Sequence, residues 1–516
     1  RRPSMAERVP SNLSNYNNKS SINIPQLACL ELPPPDHTPD SCDVLIIGTG
    51  LVESILAASL AWQGSNVLHI DSNDYYGDTT STLTIDQIKD WVQNVNQNDI
   101  NNNTDDNLGY KNFKNARLYI PRPSQLISKN YGIDLNPKLL FCKSDLLSLL
   151  LKSRVYKYLE FKPLSQFHTF ENDNFEQIIN SNQQVFINNS LPLKTKKNLM
   201  NFLKFILNYE KNLNQKIWLP YSKTPISLFL KRIFHLEVAQ INELIFAIGL
   251  CFSSNLNTPE ALQRIKRYIL SFDVYGNFPV LYTKYGGPGE LSQGFCRSAA
   301  VAGTTYKLNT SLVAYDPIKK LAKLSDNSII KINEKIVISP TQVPNFLEKY
   351  QPKQKYEVSR LITIVNSDCK EWMAENESAC VVVFPENSLP SFNKYAVQVI
   401  IMGEGTGIVP ENQCAWFLST IENGSKAKID LESALSCLEQ NLLRETNFNP
   451  DDIDMDFVGI NNGNHHLYNS FKLGSSLLNF VPEEKLTYLF KFYFTQNTSV
   501  PPFGVVNPNL FKSDDD

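Results

Sequence analysis

The sequence predicts an α/β fold: a large domain of mixed sheets opening on a Rossmann-type dinucleotide-binding unit, with a smaller helical domain inserted. Three observations carry this. Asp43–Gly48 (DVLIIG) is a short apolar run of the kind buried on both faces of a parallel sheet, and a glycine loop and an Ala- and Leu-rich segment follow it. Residues 186–269 are dense in helical patterns. Strand patterns then return in Ile329–Ser339, Leu361–Val365, Cys380–Phe384 and Ala396–Met402. At 516 residues the chain has the length of about three ordinary domains or one large composite fold.

Taken in order, residues 1–42 read as a flexible arm rich in Ser, Asn and Pro, and Pro33-Pro34-Pro35 cannot continue a helix or a central strand. The chain begins at Arg1 rather than Met and stops at Asp514-Asp515-Asp516, so a longer start and a cut acidic tail are expected. Leu51–Gln63 is helical and Asn66–Asp71 (NVLHID) is a second strand, completing a βαβ unit of right-handed crossover. Asn94–Asn107, in which seven of fourteen residues are Asn, reads as a surface insertion unable to pack a core. Helices are predicted over Ser144–Leu151, Lys194–Tyr209, Thr224–Leu236, Val238–Phe252 and Pro259–Phe272.

Composition excludes several classes. Lys plus Arg is 49 against 52 Asp plus Glu, and a net charge of −3 argues against a general nucleic-acid binder. The nine cysteines form no CxxC pair and the six histidines are scattered, so no metal site is predicted. An odd, dispersed cysteine set fits a reducing compartment. No apolar run approaches the ~20 residues of a spanning helix. The expectation is a soluble, cytoplasmic protein. Ser292 lacks a G-x-S-x-G setting, and His465-His466 lies in a polar stretch with no role assigned.

Gly48-Thr49-Gly50-Leu51-Val52-Glu53 sits where a dinucleotide fingerprint belongs, and Asp71 ends the next strand, where a carboxylate would bond a ribose hydroxyl. The fingerprint is degenerate: Glu53 replaces the third glycine. Its negative charge would stand near a dianion, where two like charges 4 Å apart repel by ~1 kcal/mol in water and ~4 kcal/mol at an effective dielectric of 20. A carboxylate in a first helical turn is otherwise favoured by the helix dipole, so Glu53 itself is expected at the anion position. Flavoproteins with such a start also carry a late Gly-Asp motif. Here the only Gly-Asp is Gly77-Asp78, far too early, and the strand ending Ile338-Ser339-Pro340-Thr341-Gln342 lacks a glycine turn. The fold signal survives without the cofactor signal, so no cofactor is expected and the scaffold serves another function.

Asp43–Leu83, with its Glu after Gly-Thr-Gly-Leu-Val and its Asp74-Tyr75-Tyr76-Gly77 turn, resembles the opening of the Rab GDP-dissociation inhibitors and Rab escort proteins. A second block, Arg264–Asn309, including Tyr285-Gly286-Gly287-Pro288-Gly289-Glu290-Leu291-Ser292-Gln293-Gly294-Phe295-Cys296-Arg297, resembles the same family. The resemblance implies a flavoprotein-like fold that binds rather than catalyses. It implies a grip on Rab GTPases in their GDP form and shielding of their geranylgeranyl lipid, with transient contact at membranes. By motif position, Tyr76, Glu290, Arg297 and Thr305 would form the Rab-binding platform. Residues 43–185 and 270–510 would form the large domain, and 186–269 a helical domain facing a prenyltransferase and lipid. Without the family, Tyr76 reads equally as a cap on the core, and Glu290 with Arg297 as an exposed, salt-bridged helix face. The long arm and the Asn-rich stretch resemble the escort branch, which presents new Rabs to Rab geranylgeranyltransferase. There a Phe inserts into the transferase beside an Arg; Phe186 matches the Phe, and Lys197 stands in the place of the Arg, a point charge for a planar fork. Between polar neighbours, Phe186 reads as an exposed anchor rather than a core aromatic. A dissociation inhibitor without a transferase partner and a flavin-dependent oxidoreductase are the rival readings.

Overall fold

The computed structural model describes residues 38–100, 105–171, 173–178, 192–353, 356–446 and 486–498. The chain forms two compact units, one from residues up to Ser81 with Tyr285–Gln351, the other from Thr82–Lys284 with the chain from Pro352 on.

In chain order the first elements are β1 (Ser41–Ile47), α1 (Leu51–Trp62) and β2 (Val67–Ile70). Next come β3 (Thr82–Leu83), α2 (Ile85–Ile100), β4 (Phe113–Tyr119), β5 (Ile133–Asp134), β6 (Leu140–Phe141) and α3 (Asp145–Lys152). β7 (Phe161–Leu164), β8 (Phe167–Glu171) and β9 (Asn174–Gln177) precede a run of helices: α4 (Leu193–Ile206), α5 (Asn212–Trp218), α6 (Ile226–Phe234), α7 (Val238–Asn242) and α8 (Thr258–Leu270). The chain returns through β10 (Val280–Thr283), α9 (Pro288–Val301), β11 (Thr305–Lys307), β12 (Leu312–Asp316), β13 (Leu321–Leu324) and β14 (Ile329–Ile338). β15 (Tyr356–Val365), β16 (Ala379–Phe384), β17 (Val397–Gly403), β18 (Cys414–Thr420), α10 (Gly424–Thr446) and β19 (Tyr488–Thr498) complete it.

The first unit holds a six-stranded sheet ordered β11-β2-β1-β14-β13-β12. β1 lies between β2 and β14, parallel to both, which explains its unbroken apolar run: Leu45, Ile46 and Ile47 are all fully buried. α1 presents Ala57, Ala58 and Ala61 inward and donates the Trp62 indole N–H to Ser298 of α9 at 3.0 Å.

The second unit is built on an eight-stranded sheet ordered β4-β19-β15-β18-β17-β16-β8-β9. α10 covers one face with Leu431, Ala434, Leu435, Leu438 and Leu442, at helical spacing, against Trp416, Val399 and Ile401. The helical run belongs to this unit. Phe202, Phe205, Phe229 and Phe234 pack α4 on α6 with ring centroids 5.1–5.9 Å apart where they meet across the two helices. The predicted Val238–Phe252 helix is α7 prolonged by a π turn over Glu243–Ile248.

The Asn-rich stretch corrects one expectation. α2 runs through it to Ile100, because the apolar stripe Ile85, Ile88, Trp91 and Val95 keeps helical spacing beneath the asparagines. Val95 is fully buried, Asn94 bonds the Tyr110 hydroxyl and Asn96 the Ala116 carbonyl. Among the described residues no helix is long and apolar enough to cross a membrane, no group of side chains is placed to hold a metal, and the cysteines are free and buried.

Trp91 anchors α2 by edge-on contacts with Phe113, Phe492 and Phe494, 4.9–5.5 Å between centroids. Trp91→Ala is expected to cost about 3–5 kcal/mol in urea unfolding. Trp91→Phe should cost far less, since the buried indole N–H has no partner to lose. A Trp91→Ala loss below about 1 kcal/mol would detach α2 from this core.

Candidate functional site

At the carboxyl ends of β1, β2 and β14, the position where open α/β sheets bind ligands, the first unit gathers three carboxyl groups. Gly48 follows β1 at φ +98°, and a Cβ there would stand 2.6 Å from the Cβ of Ser339, so only glycine fits. Gly50 caps α1, and a Cβ on it would stand 2.7 Å from Oε2 of Glu53. The Glu53 carboxylate therefore folds back over Gly50, across the helix N-terminus, where it accepts its own backbone N–H and reaches the Ser339 hydroxyl.

Asp71 is fully buried and fully engaged. Its Oδ2 accepts the Thr49 N–H at 2.7 Å and the Thr49 hydroxyl at 2.6 Å. Its Oδ1 accepts the Asn73 N–H at 2.9 Å and the Gln342 amide at 2.6 Å, while Gln342 accepts the Ser72 N–H. Asp71 stands where a ribose-binding carboxylate would, but it spends its lone pairs inside the protein. Asp78, set aside in the sequence as an early Gly-Asp, belongs to the same cluster. Gly77 turns at φ +105° and donates its N–H to Thr49, and Asp78 then accepts from the hydroxyls of Ser339, at 3.0 Å, and Thr341. The place of the missing glycine turn after β14 is thus occupied by Ser339, Thr341 and Gln342, whose side chains reach all three carboxyls.

Burial, chiefly, pushes the Glu53 carboxyl up to about 7 and that of Asp78 up to about 8, with the charge of Asp71 adding to both, and burial raises Asp71 too. The single proton of Ser339 cannot serve Glu53 and Asp78 together, so a proton held on one of these carboxyls completes the set. His69, buried and donating Nε2–H to the Gly48 carbonyl at 2.6 Å, is pushed down to about 4 and stays neutral. Carboxyl groups turned toward the helix N-terminus, with their donors consumed among themselves, do not fit a dinucleotide pyrophosphate.

Outside this cluster lies a mixed polar and aromatic rim. Tyr76 is half-buried with its ring edge-on to Tyr306 at 5.8 Å, and Tyr306 also stacks on His69 at 5.0 Å. Thr305, half-buried on β11, precedes Tyr306. Cys296 of α9 stands 3.2 Å from the Ser54 hydroxyl, and its neighbour Arg297 is exposed. Glu290, in the first turn of the same helix, is buried. All four platform residues named from the sequence fall in the first unit. Lys197 is exposed on α4 of the second. Phe186 and His465-His466 lie outside the described residues. Sequence reasoning missed Asp78, Ser339, Thr341, Gln342 and Tyr306; the signal available was a polar Ser-Pro-Thr-Gln run directly after an apolar strand.

Three comparisons bear on this geometry. The model of the GDP dissociation inhibitor family matches residues 38–448. Rab proteins geranylgeranyltransferase component A of Saccharomyces cerevisiae is 53% identical over 519 aligned residues, spanning all of this chain and 84% of that protein. Rab GDP dissociation inhibitor beta of the dog is 26% identical, over 77% of this chain and 83% of that protein. The crystal structure of a Plasmodium falciparum Rab GDI shares the fold with a TM-score of 0.58 at 23% identity, covering 78% of this chain and 87% of that one.

The carboxyl cluster makes a pH prediction. Folded-state values lying above the unfolded ones mean that this stability is complete below about pH 4 and lost as pH rises through about 7–8. Asp78→Asn keeps an acceptor for Ser339 and Thr341 but removes the charge. The parent loses about 1.4 kcal/mol for every pH unit between the unfolded and the folded value of this carboxyl, so the variant should gain about 1–3 kcal/mol on it between pH 6 and pH 9. Melting curves at the two pH values check this, and parallel profiles would refute it.

Proposed function

Because the chain belongs to the GDP dissociation inhibitor family, we propose that it acts as a Rab escort protein. In this reading it is a non-catalytic component that holds GDP-bound Rab GTPases and presents them to Rab geranylgeranyltransferase for prenylation at their C-terminal cysteines. It then shields the geranylgeranyl lipid and delivers the Rab to membranes, working from the cytoplasm. The carrying observation is identity over the whole chain to a geranylgeranyltransferase component A, 53%, against 26% to a Rab dissociation inhibitor. The degenerate glycine loop supports a binding role: the cluster that would receive a cofactor is spent on holding the loop, and the rim offers contacts suited to a protein. An exposed Arg makes forked bonds, and a Tyr braced by a second ring presents a polar tip without losing much rotamer freedom.

In the platform so proposed, Tyr76, Arg297 and Thr305 meet the Rab. Glu290, being buried, acts by its carboxylate edge at the start of α9. Residues 186–269 face the transferase, with Phe186 as anchor and Lys197 as its support. The second reading is a dissociation inhibitor without a transferase partner.

Titration with one Rab loaded with GDP or a GTP analogue should show tighter binding of the GDP form. Arg297→Ala and Tyr76→Ala should each weaken it about thirtyfold, the equivalent of about 2 kcal/mol. Folded variants that bind like the parent would overturn the platform. Phe186→Ala should abolish stimulation in a reconstituted Rab prenylation assay while sparing Rab binding, and Lys197→Arg should leave stimulation equal or greater. A parent protein without affinity for the transferase would instead be a dissociation inhibitor.

A further inference from the structure

A cavity opens within the second unit against one face of the eight-stranded sheet. Val358, Ile362, Ile400 and Phe417 make one side of its wall apolar; Ser419 and Gln398 add neutral polar groups, and two side chains are cationic: Arg360 from the middle of β15 and Lys138 from the β5–β6 connection. Alternation along β15 puts Arg360 on the same face as Val358 and Ile362, a position that calls for another apolar residue. It is instead a guanidinium only 6% exposed.

What holds it there is neutral. Nη2 of Arg360 donates to Oδ1 of Asn136 at 2.7 Å and to Oε1 of Gln496 at 3.4 Å, and Nε has no partner. No carboxylate among the described residues pairs with it. Arg264, nearby on α8, is matched by Glu260 at 2.7 Å. Burial, with the positive charges of Arg360 and Arg264 beside it, pushes the amine of the half-buried Lys138 down to about 7. Burying a guanidinium without a counter-charge is costly, and the cavity places an apolar chamber directly against it.

We propose that this cavity binds a small carboxylate anion with a short apolar body, its carboxylate on Arg360 and Lys138 and its body against Ile362, Ile400 and Phe417. The forked donor geometry of a guanidinium matches a planar carboxylate, and the apolar side of the wall suits a hydrocarbon body that a phosphate lacks. The site is independent of Rab binding, so its failure would leave that reading untouched.

Sodium butyrate is the probe, titrated into the full chain at pH 6.5 by calorimetry and by thermal unfolding, with sodium phosphate and sodium chloride at matched ionic strength. A ligand of the folded state raises the melting temperature saturably. The expected result is saturable binding of butyrate, at least tenfold weaker binding of phosphate, and no saturation with chloride. Arg360→Met and Lys138→Met should each weaken butyrate at least tenfold. If Arg360→Met does not fold, Lys138→Met, in a connection rather than a central strand, decides alone. Butyrate behaving like chloride, phosphate binding as tightly as butyrate, or folded variants binding butyrate like the parent would each overturn the proposal.

Discussion

At the carboxyl edge of the six-stranded sheet, Asp71 joins three stretches of chain that are far apart in sequence. Its oxygens accept from Thr49 in the glycine loop, from Asn73 after β2 and from Gln342 beyond β14. A buried carboxylate without donors costs several kcal/mol, so the loop cannot relax unless all three stretches move together. Glu53 over Gly50 and Asp78 under Ser339 and Thr341 extend the same arrangement outward. The local conformation of the first unit follows from keeping these acids supplied with donors and protons.

The same arrangement fits the proposed use of a nucleotide-binding scaffold as a binding platform. In a functioning fingerprint the first amides of the helix point at phosphate. Here Asp71 takes the Thr49 amide and Glu53 takes its own. A loop emptied of its ligand would be slack; lined by internal acceptors it is stiff, and Tyr76 rises from a loop fixed at both Gly77 and Thr49. Rigidity of this kind is what a protein-binding surface needs in order to lose little entropy on association.

Much of this is legible in the sequence. The β1–α1–β2 unit shows itself because an apolar run, glycines and a small-residue helix are local signals. Glu53 is legible for the same reason: one side chain at one motif position. Asp78 is not, because its partners Ser339 and Thr341 lie over 260 residues away and no local pattern records a side chain filling the place of an absent glycine turn. α2 is obscured where asparagines, poor helix formers, outweigh a stripe of only four apolar residues; burial of Trp91 and Val95 overrides propensity. Arg360 looks like an ordinary strand residue, since its burial on neutral partners alone exists only in the folded chain.

The buried thiols carry a practical meaning of their own. Among the described residues, Cys42 and Cys296 lie in the first unit and Cys142, Cys251, Cys369, Cys380, Cys414 and Cys437 in the second, all shielded. Burial pushes Cys42, Cys142 and Cys296 up to about 11 and Cys251 up to about 12, so the reactive thiolate is scarce even where reagent arrives. Alkylation under native conditions must then wait for each segment to open. The chain thus carries its own set of reporters, spread over both units, from which the opening frequency of each can be clocked by mass spectrometry without adding a label.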